Sequence, residues 1–261
     1  MREALKGLPY ELPIDPSKVD ILAMVDTETT GLDPQKHDLL EIACALYDVK
    51  RATMIEARSW LIHSTDNPME KVNGLPSALL QERGRKMLSP EDLVAMEDLA
   101  KMLLRSSAVV AWNAAFDQPW IEAYLDRLTL LPTMFFARPK WVCAMNDMEW
   151  PKFSSSRALS SVALAHGVPI TDAHRALSDV LTMTKLFSRA AELGADVGEM
   201  VAFAALPRAE YRAAVDYSGR ELARGAGFRW DETRRGWFRK FPVGLEPKEG
   251  DLPFSLQSVT A

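Results

Sequence analysis

The sequence predicts an α/β fold in which a mixed β-sheet is flanked by helices. Apolar runs of strand length recur along the first two thirds of the 261-residue chain, and segments with the spacing of amphipathic helices lie between them. Their order is three strands, a helix, a strand, a helix, a strand and two helices, which is typical of this class. The 48% of hydrophobic residues suffice for one core of ordinary size and an appended module.

Three apolar segments predict the first strands. Residues 19–25 (VDILAMV) are continuously apolar, as in a central strand buried on both faces. Residues 41–49 and 54–62 predict the next two strands, and their short link predicts an antiparallel turn. Residues 64–90 contain three prolines and two glycines, which indicates loops with short helical turns.

The later elements alternate between helix and strand. Apolar side chains at helical spacing predict a helix from Ser89 or Pro90 to Arg105. The remaining predictions are a strand at 108–112, a helix at 116–128, a strand at 141–145, and helices at 160–166 and 173–193.

Composition divides the chain into five segments. They are a proline-rich lead-in at 1–18, a main domain at 19–193, a connector at 194–207, a small α+β module at 208–243 and a polar tail at 244–261. The module holds nine Lys/Arg against five Asp/Glu, and it is rich in aromatic residues.

Bulk properties exclude some classes of protein. No apolar run is long enough to cross a bilayer, and residues 1–13 lack the apolar core of a signal peptide, so we expect a cytoplasmic protein without a membrane partner. Cys44 and Cys143 lie in apolar segments, where buried packing is expected rather than a disulfide or a zinc site. The net charge of −5 neither supports nor excludes a nucleic-acid substrate.

Asp26 and Glu28 come at the end of the first predicted strand. Residues two apart on a strand project to the same side, so the two carboxylates would converge and repel each other. A divalent cation would relieve the repulsion, and the carboxyl end of a central strand is where sites in open α/β sheets form. Simple solvation of the strand end remains the alternative for this segment alone.

Two further segments carry the remaining candidate groups. Asp117 falls in the first turn of a predicted helix that Asn113 could cap, and its position there could also serve only the helix dipole. His174 and Asp179 are five residues apart and do not share a helical face. They reach one site only if His174 lies at the helix start or in the preceding loop.

The three motifs together resemble the DnaQ-like 3′–5′ exonucleases of the DEDDh type, within the ribonuclease H-like superfamily. DTETTGLDP, NAAFD and HRALSD occur in the family's order and near its spacing, over residues 19–190. The resemblance implies a ribonuclease H-like fold and two Mg²⁺ or Mn²⁺ ions. It makes Asp26, Glu28, Asp117 and Asp179 metal ligands, with the carboxylate of Asp26 shared between the ions.

The resemblance also implies the remaining roles. His174 would accept a proton from the attacking water, and its identity as histidine defines the subtype. Thr29, Thr30, Asn113 and Phe116 would contact the substrate. Trp112 stands where the family often has histidine, and residues 63–90 match poorly, which leaves the substrate-facing loops undefined. The first motif is closer to the DNA-acting branches than to those acting on small RNA.

The C-terminal module allows two interpretations. A strand at 211–217, a helix at 219–224 and a hairpin around 231–236 are predicted, and the segment is similar to a small module appended to some nucleases. Trp230 and Trp237 would either stack on bases or form the module's core. The expected nucleic-acid contacts are Arg229, Arg234, Arg235, Arg239 and Lys240, and the alternative is a solvated charged face.

These observations lead to one main hypothesis and two alternatives. The main one is a metal-dependent 3′–5′ exonuclease that releases nucleoside monophosphates from DNA, with single-stranded ends preferred. The second is an exoribonuclease acting on RNA ends or short RNA. The third, from another class, is a catalytically inactive nucleic-acid-binding module on the same fold, which predicts missing ligands.

Overall fold

The computed structural model describes residues 1–127, 139–152, 154, 156–171 and 174–259. Within it the chain forms two compact units. The larger is Ile14–Ala205, and the smaller combines Leu206–Ala261 with Met1–Pro13.

The described residues form the following elements. The strands are β1 Ile21–Thr29, β2 Leu39–Asp48, β3 Thr53–Leu61, β4 Ala108–Ala111, β5 Trp141–Cys143, β6 Arg208–Ala213, β7 Arg229–Asp231, β8 Gly236–Pro242 and β9 Leu256–Val259. The helices are α1 Arg2–Lys6, α2 Glu70–Asn73, α3 Ser77–Arg83, α4 Pro90–Leu104, α5 Ala114–Leu125, α6 Leu159–Ala165, α7 Ala176–Glu192, α8 Val197–Ala204 and α9 Arg220–Gly225.

The larger unit is built on a mixed five-stranded sheet, as predicted. The strand order is β3-β2-β1-β4-β5, in which β1 pairs antiparallel with β2 and parallel with β4. The central position of β1 follows from its sequence, because Leu22 through Val25 are fully buried on both faces.

Helices cover both faces of this sheet. Leu22 and Met24 pack in a cluster with apolar side chains of α7 and α8. Ala23 and Val25 point to the other face and pack with side chains of α4 and α5. Because side chains alternate between the two faces along β1, the position of each residue in the strand determines which helices its side chain contacts.

The predicted elements of this unit are present, with shifted ends. The strand predicted at 19–25 continues to Thr29, because β2 pairs with it along its whole length. The helix predicted at 116–128 begins at Ala114 and ends at Leu125, and the helix predicted at 173–193 begins only at Ala176, after its N-cap residue Arg175. Cys44 and Cys143 are free and buried on β2 and β5, as expected.

The smaller unit contains an antiparallel sheet of order β7-β8-β6-β9. The predicted hairpin and the short helix are present, and the strand expected at 211–217 lies three residues earlier. The segment 244–261, expected to be a polar tail, contributes β9. Leu252, Phe254 and Leu256 alternate in sequence, and all three pack against the core of this unit, which explains the strand.

The described helices include none that is both long and apolar enough to span a membrane.

Candidate metal centre and active site

The site is built on the part of β1 that extends beyond its parallel neighbour. The pairing of β1 with β4 ends at Val25 opposite Ala111, while β1 continues to Thr29. Asp26 and Glu28 lie on this extension. By alternation they share a face with Leu22 and Met24, which is the face covered by α7. The carboxylates thus lie at the carboxyl end of the parallel strands.

Asp179 reaches the same place from α7. It lies in the first turn of this helix, where its backbone N–H donates to the carbonyl of Arg175 at 3.0 Å. Asp26, Glu28 and Asp179 each present an oxygen to one point, and these three oxygens lie within 4.8 Å of one another. The structure therefore brings together three of the four predicted ligands as one group.

Asp117 approaches the strand end from the opposite face. Its Oδ1 accepts hydrogen bonds from the backbone N–H of Thr27 at 3.0 Å and from its hydroxyl at 2.8 Å. The side chain of Thr27 points towards α5 because it lies between Asp26 and Glu28 on an alternating strand. The carboxylate of Asp117 is buried and is held by these two bonds, and Oδ2 is not part of them.

The electrostatics of the group show strong mutual repulsion. Burial, followed by the charges of Asp117 and Glu28, raises the pKa of Asp26 well above its ordinary value. Burial and the charge of Asp179 raise the pKa of Glu28 to about 8. Burial raises the pKa of Asp117 to about 7, although the hydrogen bonds from Thr27 oppose this shift.

This donor set fits a divalent cation. Carboxylate oxygens are the ligands that Mg²⁺ and Mn²⁺ prefer, and a bound cation would reverse the rise in the carboxyl pKa values. Without such a charge, burial and mutual repulsion favour the protonated form of these carboxyl groups. Asp26, Glu28 and Asp179 are the residues placed to hold the ion.

Glu41 and Arg175 complete the charged environment of the site, and the sequence analysis did not identify either residue. Glu41 lies directly opposite Glu28 in the β1–β2 ladder and is buried. Its carboxylate accepts from Nε of Arg175 at 3.1 Å and from the hydroxyl of Ser59 at 2.5 Å. The sequence does show an unusual feature here, because Glu41 is a lone glutamate in the apolar run EIACALY. Its partner Arg175 could not be predicted, because the pairing depends on the register of β2 and on where α7 begins.

His174 lies in the loop before α7, one of the two positions from which it could share a site with Asp179. Its backbone is left-handed, with φ at 64°, and its side chain is exposed. Arg175 occupies the N-cap position of α7, so His174 directly precedes the cap.

The four predicted substrate contacts lie in the first two motifs, DTETTGLDP and NAAFD. The Thr29 hydroxyl donates to the Gly31 carbonyl at 2.6 Å, and the Thr30 hydroxyl accepts from the Asp38 N–H at 2.8 Å, so both hydroxyls order the turn after β1. Asn113 is the N-cap residue of α5 but its side chain makes no capping hydrogen bond; its backbone carbonyl accepts instead. Phe116 is half-buried beside Trp120.

The candidate contacts in the smaller unit separate into two groups. Arg229, Arg235 and Lys240 are exposed. Arg234 pairs with Asp231 and Glu210, and Arg239 is half-buried, donating to the carbonyl of Ala226.

Of the two tryptophans in that unit, Trp237 packs against the core, whereas Trp230 is 44% exposed and meets Trp237 edge to face. The interpretation that both form the core is therefore correct for Trp237 only.

The larger unit matches a known family. The model of the RNase_T family, described as an exonuclease, matches residues 23–187, which include all three motifs. A second family model, described as a domain of unknown function, matches residues 209–259.

A curated relative is the PolC-type DNA polymerase III of Thermotoga maritima. It is 26% identical over 192 residues, which cover 67% of this chain and 12% of that protein. This chain therefore spans a small fraction of the length of that relative.

Solved structures of exonuclease I show the same fold. The E. coli enzyme in complex with a dT13 oligonucleotide aligns with a TM-score of 0.54 and 13% identity, over 75% of this chain and 48% of that one. Its zinc-bound complex with single-stranded DNA aligns with a TM-score of 0.52 and 16% identity, over 65% and 40%. This chain spans less than half the length of these proteins.

Proposed function

Since the chain belongs to the RNase_T exonuclease family, we propose that it hydrolyses DNA from the 3′ end and releases nucleoside 5′-monophosphates, with single-stranded ends preferred. The observation that supports this best is the convergence of Asp26, Glu28 and Asp179 within 4.8 Å at the end of β1. The inactive alternative predicts missing ligands, and all four carboxylates and the histidine are present in the chain.

The proposal includes two Mg²⁺ or Mn²⁺ ions. Bound there, they would stabilise the charge on the attacking and leaving oxygens of the phosphodiester. Asp26, Glu28 and Asp179 would hold one ion, and Asp26 would also contact the second. Asp117 would take part through Oδ2, directly or through water, because Oδ1 is occupied by Thr27.

His174 is proposed as the general base. A ring nitrogen would accept a proton from the attacking water, and the exposed position of the side chain leaves it accessible to a substrate. His174 directly precedes Arg175, the N-cap residue of α7, which is fixed by Glu41.

The proposed contacts to the terminal nucleotide are Thr29, Thr30, Asn113 and Phe116. Thr29 and Thr30 follow Glu28 directly, and the half-buried ring of Phe116 precedes Asp117. The side chain of Asn113 has donors and an acceptor left for a ligand because it forms no capping bond.

We propose DNA rather than RNA as the substrate because of the proteins to which the chain is similar. A curated relative is a DNA polymerase, and solved structures of the same fold contain a dT13 oligonucleotide and single-stranded DNA.

The experiment is a hydrolysis assay on 5′-labelled oligonucleotides of one sequence, as single-stranded DNA, duplex DNA and RNA, with Mg²⁺ or Mn²⁺. We expect shortening from the 3′ end of single-stranded DNA, release of 5′-monophosphates, and no product with Asp26→Asn. Faster degradation of RNA would instead establish the exoribonuclease, and DNA binding without any product would establish the inactive module.

A further inference from the structure

The sheet of the smaller unit has two unlike faces. Residues that are directly opposite each other in an antiparallel ladder share a face of the sheet, so the pairing register shows on which face each side chain lies. Tyr211, Trp237 and Phe241 lie on one face, and they pack with Ala223 of α9 in the core of this unit. Ala223 is fully buried there, so α9 covers this face.

The other face is basic and open. Phe238 of β8 lies directly opposite Arg229 of β7 on one side and Arg212 of β6 on the other. Lys240 lies two residues further along β8, on the same face as Phe238. Arg212, Arg229 and Lys240 are all exposed, so three cations surround a half-buried aromatic ring.

The two acidic residues on this face are both paired with one arginine. Arg234 donates from Nε to Asp231 at 2.7 Å and from Nη1 to Glu210 at 2.5 Å. Its guanidinium lies 3.8 Å from the centroid of the Phe238 ring. In the part of the chain that the structure describes, Arg212, Arg229 and Lys240 form no ion pair with a carboxylate.

The segment that contains this face is basic, whereas the whole chain is acidic. With nine Lys/Arg against five Asp/Glu, segment 208–243 carries a net charge of +4, whereas the whole chain carries −5. The carboxylate cluster of the larger unit repels a polyanion until cations bind. A separate basic surface would supply the attraction that brings such a substrate to the protein.

We propose that the open face formed by Arg212, Arg229, Phe238 and Lys240 binds the phosphodiester backbone of single-stranded DNA. The guanidinium and ammonium groups would donate to phosphate oxygens, which gives affinity without sequence preference. The choice of DNA as the ligand rests on the proposed nuclease function. The family model that matches residues 209–259 is described as a domain of unknown function, and binding of single-stranded DNA would be a function for this unit.

The register also changes the set of expected contacts. Arg239 lies on the covered face, where it donates to the carbonyl of Ala226 and stacks over Phe241, so it is not part of the surface. Trp230 lies on the covered face as well, opposite Trp237. Arg212 is a new member that composition alone did not identify.

The test compares two triple variants of the full chain that remove the same charge. Arg212→Gln/Arg229→Gln/Lys240→Gln changes the open face. Arg220→Gln/Arg224→Gln/Lys248→Gln changes α9 and a loop. The fluorescence anisotropy of a labelled oligo(dT) of about 20 nucleotides gives the Kd in EDTA, where a metal-dependent enzyme leaves the probe intact. Circular dichroism and thermal melting monitor folding.

We expect the open-face variant to weaken binding by at least ~10-fold at low salt, and the other variant to change the Kd by less than ~2-fold. Three lost phosphate contacts should reduce the slope of log K against log salt by about 2, since each contributes ~0.7 on a single strand.

Equal weakening by both variants, or no change in the open-face variant, would overturn the proposal. Displacement of the probe by poly-glutamate as effectively as by unlabelled oligo(dT) would overturn it too, because the surface would then be a general anion site. If the triple variant does not fold, Lys240→Gln against Lys248→Gln decides, with an expected slope change of ~0.7.

Hydrolysis with Mg²⁺ is measured separately on the same proteins. Binding through this face without hydrolysis would contradict the nuclease function and leave the inference standing. Hydrolysis with binding unchanged in the open-face variant would contradict the inference alone.

Discussion

Glu41 and Arg175 form an ion pair beside the carboxylate cluster, in which Glu41 is buried and Arg175 is partly exposed. The side chain of Glu41 is 2% exposed and that of Arg175 is 31% exposed. The same carboxylate accepts from the backbone N–H of Ala176 at 3.3 Å, so it binds both the cap and the first residue of α7. The pair thereby fixes the start of the helix that carries Asp179, next to His174.

Arg175→Ala should therefore lower the free energy of unfolding by about 2–4 kcal/mol. The loss leaves the buried charge of Glu41 without its partner, which costs several kcal/mol in a buried pair and less where one partner is partly exposed. Lys101→Ala is the control, because its pair with Glu97 is an exposed pair on α4 and should cost at most ~1 kcal/mol. Urea denaturation measures both, and equal effects would show that Arg175 does not secure the helix start.

Asp26→Asn should abolish hydrolysis and at the same time raise the melting temperature of the metal-free protein. Removing one of several mutually repelling buried carboxyl groups relieves the repulsion in the fold, whereas hydrolysis would lose the ligand that we propose is shared between the two ions. The two readouts are hydrolysis of 5′-labelled DNA and thermal melting in EDTA. A lower melting temperature would contradict the mutual repulsion of the buried carboxyl groups.

His174→Ala should reduce the rate of hydrolysis by about 10²–10⁴-fold, the usual contribution of a general base. Binding of Mn²⁺ should be unchanged, since the grouped ligands are Asp26, Glu28 and Asp179. His63→Ala, on the loop after β3, serves as the control and should retain activity. Single-turnover rates and calorimetry separate the two effects, and loss of Mn²⁺ binding would assign His174 to the metal site instead.

The hydroxyl of Thr27 should be needed to hold Asp117. Thr27→Val removes one of the two hydrogen bonds to Oδ1 and should cost about 1 kcal/mol of stability together with part of the activity. Thr27→Ser keeps the hydroxyl and should retain both. Chemical denaturation measures the stability and hydrolysis rates measure the activity. Equal activity of the two variants would show that the hydroxyl of Thr27 is not needed to hold Asp117.

The metal-free protein should lose stability as the pH rises from about 5 to 8. The pKa of Glu28 is about 8 in the fold against an ordinary 4.5, so the folded state holds a proton that the unfolded state has lost. The stabilisation from this proton is fully present below pH 4.5 and disappears as the pH passes through 8.

Thermal melting in EDTA across this pH range measures the loss of stability, and each ~1 kcal/mol lost should lower the melting temperature by about 2–4 °C. Glu28→Gln should flatten the profile, and saturating Mg²⁺ should restore the melting temperature at high pH. A melting temperature that rises with pH would contradict the raised pKa.

The sequence predicted the sheet of the larger unit and the shared side of Asp26 and Glu28, because both depend on local patterns. The apolar run of β1 gave its central position, and the alternation of Asp26, Thr27 and Glu28 gave the convergence of two carboxylates. The pairing of Glu41 with Arg175 could not be predicted, because it depends on the register of β2 and on where α7 begins. The strand β9 was missed because its alternating apolar residues lie in a mainly polar segment.

The most direct test follows Mn²⁺ binding and DNA hydrolysis on the same protein. Calorimetry measures the affinity, and the rate of 3′-end shortening is recorded at each Mn²⁺ concentration. Hydrolysis should rise with occupancy of the site by Mn²⁺, and Asp179→Asn should lose both Mn²⁺ binding and hydrolysis. Full hydrolysis in excess EDTA, or Mn²⁺ binding unchanged in Asp179→Asn, would contradict this prediction.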